Sequence, residues 1–402
     1  MYYLEVGTVY EKEQKLVEGM YPEIVTMLKE ITGFERGTKN LPGIRQMAAY
    51  MKQRMEALGC EVSELDDPEY GPTLVSRKKG RGKLRAMFYA HMDTVWSDGS
   101  TKELPFRIEG EYAYGAGVSD CSQGLIGSVF MLKALNELGF DNYDELIFVF
   151  NPDEELTSIS STKWLKKISS EENIDLAICM EGPDREGTFT SARAGSAYYE
   201  INIKGKMAHA GVNPEDGANA LVELTYKMND ILAKQFPDVY LVVCWMRGGS
   251  GDCCVADNAY AMLRYRIKTW DVVPQIDAFL KEVEKKIYVP GTTTSIEFWP
   301  QGGFGPMPKL PWLDKFVEAV EEVSAEMGYP LKESYSYGGC DGASTVTNCP
   351  TLDGLTPLTY GCHSKNERIK LTTIVPRIAL LSVLIQKFCS DEKYLRKASQ
   401  EG

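Results

Sequence analysis

The chain has 402 residues, of which 44% are hydrophobic, and a formal net charge of -13. That length accommodates two domains, or one domain with a large insert, and the hydrophobic share without a low-complexity run predicts a folded chain throughout. The acidic balance argues against nucleic acid or an anionic membrane as partner.

The amino-terminal MYYLEVGTVYEKEQ has no basic segment followed by an apolar one, so no signal peptide is expected. No apolar run is expected to approach the ~20 residues of a membrane span. The ten cysteines are scattered, except for the adjacent Cys253 and Cys254. Without a secretory signal they read as reduced thiols of a cytoplasmic protein rather than a disulfide framework.

From Glu11 to Ile31 the apolar spacing is helical, with a break predicted at Pro22. A second helix is predicted over Pro42–Leu58, where Ile44, Met47, Ala48, Met51, Met55 and Leu58 form one apolar stripe that reads as core packing. Short strands follow near Glu61–Leu65 and Thr73–Arg77. The apolar run after Lys83 is a buried strand that ends in Tyr89-Ala-His91-Met-Asp93-Thr-Val95. A His-x-Asp triplet there sets an imidazole beside a carboxylate at the edge where open α/β sheets place their chemistry. The chain has only three histidines, His91, His209 and His363, each in a motif-like segment.

In Ala113-Tyr-Gly-Ala-Gly-Val-Ser-Asp120 the glycines fit a tight turn, and Asp120 falls where a helix over Leu125–Leu138 would begin, as a plain N-cap or as a functional acid. Neither GxGxxG nor a following Gly-Lys-Ser/Thr supports a phosphate loop. The strand Glu145–Phe150 runs into Asn151-Pro-Asp153-Glu154-Glu155, consecutive acids that repel one another unless a cation sits there. A further strand, Asp175–Met180, delivers Glu181 in the same way.

Near Thr188 the pattern changes. Segments with period two at Tyr198–Lys204, Tyr240–Trp245, Tyr260–Lys268 and Thr294–Trp299 are interleaved with helical ones at Gly217–Ala233 and Pro274–Ile287. The β-α-β-β-α-β order suggests a small α+β insert, and inside it lie Gly205-Lys-Met-Ala-His209-Ala-Gly211 and Asn219. The Gly/Pro-rich stretch Gln301–Pro308 reads as a hinge. A helix over Leu313–Met327, the segments around Cys340-Asp341 and Cys362-His363, and an apolar helix over Leu371–Phe388 complete the chain.

Collected, the strand-end groups are His91, Asp120, Glu155, Glu181 and His363. Two imidazoles and three carboxylates suit two divalent ions with one carboxylate bridging. Two ions and a bridging hydroxide neutralise the cluster, whereas three converging carboxylates alone are costly in a cleft. Glu154, beside a ligand yet spare, is the natural general base for a metal-activated water. Asp93 can bond the second ring nitrogen of His91 and set its tautomer.

The chain resembles the co-catalytic zinc exopeptidase and deacylase family of glutamate carboxypeptidase, acetylornithine deacetylase and succinyl-diaminopimelate desuccinylase, and most of all its glutamate carboxypeptidase branch. The likeness rests on HMDTV at His91, PFRIEGEYAYGAGVSD up to Asp120, DEE at Asp153–Glu155, Glu181 after its strand, GKMAHAG around His209, GGCDGA near Asp341 and GCHSKNE around His363, in order over nearly the whole chain. The resemblance implies an α/β, mixed-sheet catalytic domain (1–190 and 301–402) with an inserted α+β lid and dimerisation domain (191–300). It implies that His91 and Glu181 hold one zinc, Glu155 and His363 the other, that Asp120 bridges, and that His209 stabilises the oxyanion, often across a dimer interface. Substrate-side positions fall on Asn219, Cys340 and Arg266, the last matching the arginine of an Asp-x-Arg element whose Asp is here Arg264. Cys340 stands where the family usually has Ser, Cys121-Ser-Gln-Gly124 replaces a Lys with paired glycines, and Cys253-Cys254-Val-Ala256 replaces an Asn-x-Ile-Pro element.

The sequence thus reads as a cytoplasmic, dimeric, two-metal hydrolase (zinc, with cobalt or manganese as alternatives) that cleaves an amide next to a free carboxylate, in an N-acyl amino acid or short peptide. The alternatives are a dipeptidase or aminopeptidase acting on a free amino terminus and a catalytically silent metal-binding protein.

Overall fold

A computed structural model describes residues 9–299 and 303–396. They fall into two compact units, one lying within Met1–Ala192, Lys309–Ser336 and Cys340–Gly402, the other within Arg193–Pro308 and Tyr337–Gly339. Residues 1–8 of the stretch read for a signal peptide, and Gln301 and Gly302 of the Gly/Pro-rich stretch, lie outside the described residues.

The first unit is built on a six-stranded mixed sheet in the order Glu61–Leu65, Thr73–Lys79, Glu145–Asn151, Arg85–His91, Leu176–Cys179, Thr351–Leu352. The last four run parallel, and the first two add antiparallel pairings at one edge. Glu145–Asn151 is buried at every position and Arg85–His91 at all but its first, the continuous burial of parallel strands covered on both faces. In register, His91 stands beside Asn151 and Tyr89 beside Cys179. The segments following these strands therefore leave at one edge.

Helices Glu11–Thr32, Ser122–Glu137 and Ile374–Cys389 pack against one another. The middle one is buried over most of its circumference, from Ser122 through Leu132, which is why its sequence reads as an unbroken apolar run. Leu371–Cys389, 19 residues, is long and apolar enough to cross a membrane, contrary to the expectation that no run approaches that length; 72% of the apolar window is buried inside the protein, as in a core helix.

The break expected at Pro22 does not occur: Glu11–Thr32 is one continuous helix with Pro22 inside it. A proline in a helix interior costs about 3 kcal/mol or more. Val17 and Met20 before it and Ile24, Met27, Leu28 and Ile31 after it are all buried on one stripe, and that packing on both sides outweighs the lost hydrogen bond.

Asp120 is neither at a strand end nor an N-cap. It lies in the loop after Tyr112–Tyr114, and the helix that follows starts at Ser122 with Cys121 as its cap residue. Tyr112–Tyr114 belongs to a second, small antiparallel sheet with Arg107–Glu109, Arg368–Lys370 and Thr359–Tyr360. The loop after Thr359–Tyr360 carries His363. Asp120 and His363 thus come from this small sheet, not from the main one.

The second unit is a four-stranded antiparallel sheet in the order Tyr240–Gly248, Asn258–Ile267, Gly195–Lys204, Thr293–Trp299. Helices Ala220–Ala233 and Val273–Lys285 pack on it through Leu224, Met228, Ile231, Ile276 and Leu280, against Ile201, Leu263 and Tyr265. Lys227 is fully buried in this core, 3.2 Å from Glu223. Its ammonium donates to Val283 O at 2.7 Å, and Glu223 accepts from the backbone of Tyr288 and Val289.

Candidate metal centre

Loops from the six-stranded sheet and from the small four-stranded sheet of the first unit converge on two imidazoles. His91 Nε2 is 3.0 Å from Asp120 Oδ1 and 3.4 Å from Glu181 Oε1. His363 Nε2 is 3.1 Å from Asp120 Oδ2 and 3.1 Å from Glu155 Oε2. The two oxygens of Asp120 therefore face different histidines, and each histidine has one further carboxylate. The remaining Glu155 oxygen, Oε1, is buried without a hydrogen-bond partner. His363 has a left-handed backbone, φ 62°, sparsely populated by non-glycine residues and frequent at functional sites.

Asp93 does more than orient His91. Its Oδ1 lies 3.2 Å from His91 Nδ1 and accepts from the N–H of Glu154 at 3.1 Å, while Oδ2 accepts from the N–H of Glu155 and from Thr38 Oγ1. One carboxylate thus holds the imidazole and the turn carrying both glutamates. Asp341, also buried, is held by Asn151 Nδ2 at 2.7 Å and Ser158 Oγ at 2.5 Å.

The loop that carries Asp120 is gripped from two sides. Glu367 Oε1 accepts from the backbone of Ser119 at 3.0 Å and of Asp120 at 3.2 Å; its Oε2 accepts from the Gly117 N–H at 2.9 Å and from Trp96 Nε1 at 2.7 Å. Arg36, fully buried, donates to Gly117 O and Met92 O, both at 2.7 Å. Gly117 itself has φ 69°, and a Cβ there would stand 2.6 Å from Thr94 Cγ2, so no other residue fits without strain. Sequence reasoning missed Arg36 and Thr38, which lie outside every motif, and passed over Glu367 although it sits in GCHSKNE.

The electrostatics are those of a site short of positive charge. Burial pushes Glu154 well above the usual carboxylate range and Glu155 up to about 7. Burial also pushes Asp120 up, but hydrogen bonds from His363 and His91 win and hold it below that range. Hydrogen bonds to Asp120 and Glu155 raise His363 to about 10. In the protein alone, protons on the imidazoles offset the carboxylates. A set of imidazole nitrogens and carboxylate oxygens, with one buried oxygen unpartnered, suits Zn²⁺, Co²⁺ or Mn²⁺.

Of the other sequence candidates, His209, Asn219 and Arg266 belong to the second unit and Cys340 to the first. His209 is an exposed residue of the second unit, and its Nδ1 accepts from the N–H groups of Gly211 and Val212, both at 3.1 Å. Asn219 caps helix Ala220–Ala233, its side-chain oxygen accepting from Leu221 and Val222. Arg266 is buried at 7% exposure, with Nη1 2.6 Å from Ser196 Oγ. Arg264 reaches the same hydroxyl, so the two arginines share a face as the alternation requires. Cys340 is 2% exposed, in the first unit.

The sequence profile of peptidase family M20/M25/M40 matches residues 87–387. The chain belongs to that family. Carboxypeptidase G2 of Pseudomonas sp. (strain RS-16) is 27% identical over 376 residues, covering 90% of this chain and 89% of the relative. A succinyl-diaminopimelate desuccinylase of Bordetella pertussis is 23% identical over 350 residues, 81% and 88% of the two chains. Among solved structures, the aminopeptidase PepT from Bacillus cereus superposes with a TM-score of 0.77 at 20% identity, covering 92% of this chain and 99% of that one. As an M20/M25/M40 peptidase the chain is a metal-dependent hydrolase.

Proposed function

We propose that this hydrolase uses two divalent ions to cleave an amide bond next to a free carboxylate, in an N-acyl amino acid or a short peptide. The observation that carries the reading is the division of Asp120 between His91 and His363. His91 and Glu181 would hold one ion, His363 and Glu155 the other, and Asp120 would bridge them. Zinc is the first choice, with cobalt and manganese as alternatives. Carboxypeptidase G2 and the desuccinylase, both matched over most of their lengths, support an acyl amino acid or peptide substrate.

Bound there, the ions would polarise the scissile carbonyl and make a water nucleophilic near neutral pH. Glu154 takes a proton from the attacking water and passes it to the leaving nitrogen; the burial that raises its pKa suits it to both transfers. Asp93, on Nδ1 of His91, leaves Nε2 for ligation. In His209, two N–H groups point at Nδ1, so the neutral ring carries its proton on Nε2, a donor fit for an oxyanion. His209 would act from the lid of its own chain or of a second copy in a homodimer. Arg266 would read the substrate carboxylate with its planar fork. Asn219 would face substrate with its amide nitrogen, since its oxygen caps a helix. Cys340 is left out of the substrate-binding set because its Sγ is engaged with Asp353 Oδ2 and the Gly342 N–H.

Hydrolysis of N-acyl amino acids, free dipeptides and the C-terminal amides of both, with zinc-, cobalt- and manganese-loaded protein, tests this reading. Preference for an acid over its amide, lost in Arg266→Ala, supports it. Equal cleavage of acid and amide, or activity only on unblocked amino termini, favours the dipeptidase or aminopeptidase alternative. Activity that survives complete chelation overturns the metal mechanism.

A further inference from the structure

Beside the strand end that leads to Glu181 lies a second group of metal-ligating side chains that the hydrolytic chemistry does not use. Cys179 ends the strand Leu176–Cys179; Asp353 follows Thr351–Leu352, which pairs with it in parallel register, Leu352 opposite Ile178. Cys340 opens the short turn Asp341–Ser344. Both Sγ atoms and a carboxylate oxygen of Asp353 lie within 4.8 Å of one another. All three residues are buried, at 2%, 2% and 0% exposure.

The polar contacts of this group go beyond apolar packing of thiols, and they include a hydrogen bond from the Cys340 thiol to Asp353. Cys340 Sγ is 3.4 Å from Asp353 Oδ2. A tetrahedral ion with sulfur at ~2.3 Å and oxygen at ~2.0 Å separates its donors by roughly 3.5–3.8 Å, so the side chains already stand near ligand spacing. The Gly342 N–H donates to Cys340 Sγ at 3.2 Å, a contact that favours the thiolate form. Asp353 Oδ1 takes the Gly354 N–H, so Oδ2 is the oxygen turned to the thiol. Thr190, bridged to Asp353 by backbone hydrogen bonds of 2.8 and 2.9 Å, has a buried hydroxyl without a hydrogen-bond partner. Directly opposed residues of an antiparallel pair project to the same face, so this hydroxyl supplies a further oxygen on the side of the Asp353 carboxylate.

We propose that Cys179, Cys340 and Asp353 form a binding site for one thiophilic divalent cation, separate from the two-metal centre. Thiolate donors select zinc or cadmium over magnesium, calcium or manganese. Binding releases the two thiol protons to solvent, and the Gly342 and Gly354 N–H groups help to offset the excess negative charge of two thiolates and a carboxylate around a dication. The ion ties the segment leading to Glu181 to the turn that carries Asp341, and so braces two loops at the same sheet edge.

Cadmium is the probe, because thiolate-to-cadmium charge transfer absorbs in the ultraviolet where carboxylate and imidazole ligation does not. The full chain carries Cys253→Ser and Cys254→Ser, which remove the adjacent thiol pair of the second unit, and is saturated with zinc and dialysed before titration, so that cadmium, the softer ion, exchanges in where thiolates are the ligands. One equivalent of cadmium should produce the band and raise Tm. The band should vanish in Cys179→Ser and in Cys340→Ser and persist in Cys349→Ser, another buried thiol. If Cys179→Ser fails to fold, Cys340→Ser decides alone, since its hydroxyl can still accept the Gly342 N–H. Absence of the band in the starting protein, or its survival in Cys340→Ser, overturns the proposal.

Discussion

The backbone N–H of Asp120 donates to Glu367 Oε1 at 3.2 Å, so the residue shared by both imidazoles is held by an acid four positions beyond His363 in the chain. Glu367 also takes the N–H groups of Gly117 and Ser119 and is 2% exposed. In Glu367→Gln an NH₂ group meets those donors, and each buried donor left unpaired costs about 1–3 kcal/mol. Metal affinity should fall ~10–100-fold, the usual cost of losing support behind a ligand, and Glu367→Asp should recover part of it. Chelator competition measures this. Unchanged affinity in Glu367→Gln would show that the loop holds Asp120 without help.

Glu154 and Glu155 are neighbours whose backbones hang from the same Asp93 carboxylate, yet they should fail differently. Glu154→Gln should keep its metal and lose turnover by ~10²–10⁴. Glu155→Gln should lose metal from the His363 side. Metal content measured beside kcat separates them, and identical metal content in the two variants would mean the roles are misassigned.

Metal removal should make stability depend on pH with a definite sign. His363 is raised from 6.5 to about 10 in the folded protein, so its contribution is complete below 6.5 and is lost as pH rises through about 10. Glu155 is raised from 4.5 to about 7, so a cost of burying its charge grows between those values and is complete above 7. Both slopes run the same way, and the chelated protein should lose stability as pH rises. Metal ions replace the protons, so their affinity grows with pH. The Tm gap between zinc-loaded and chelated protein should widen from about pH 6 to about pH 9; a constant gap would contradict the charge balance.

His209→Ala should lower kcat by ~10²–10³, the size of effect of losing one oxyanion donor, and leave metal content unchanged. Mixing it with Glu154→Gln protein tests where it acts. Recovery of activity on subunit exchange places His209 in a partner's site; exchange without recovery keeps it in its own chain. Loss of metal in His209→Ala would refute the donor role.

Sequence alone marked out candidates for the chemistry. His91, the acids from Asp153 to Glu155, and Glu181 each follow an apolar run, and the alternation of Arg264 with Arg266 is local; such signals are written in neighbouring residues and survive without a fold. It also determined the β-α-β-β-α-β order of the second unit, because period two and period 3.6 differ within a few residues. Only the tertiary structure decided that Asp120 and His363 come from a small separate sheet, that Asp93 suspends the Glu154–Glu155 turn, and that Arg36 and Glu367 grip the Asp120 loop from two sides. Pro22 inside an unbroken helix and Lys227 buried beside Glu223 belong to the same class. In each case a local rule, that proline breaks helices or that lysine stays in water, gave way to packing and hydrogen bonds from segments far away in the chain. Such partners leave no periodic trace, because their chemistry appears only when the fold brings them within about 3 Å.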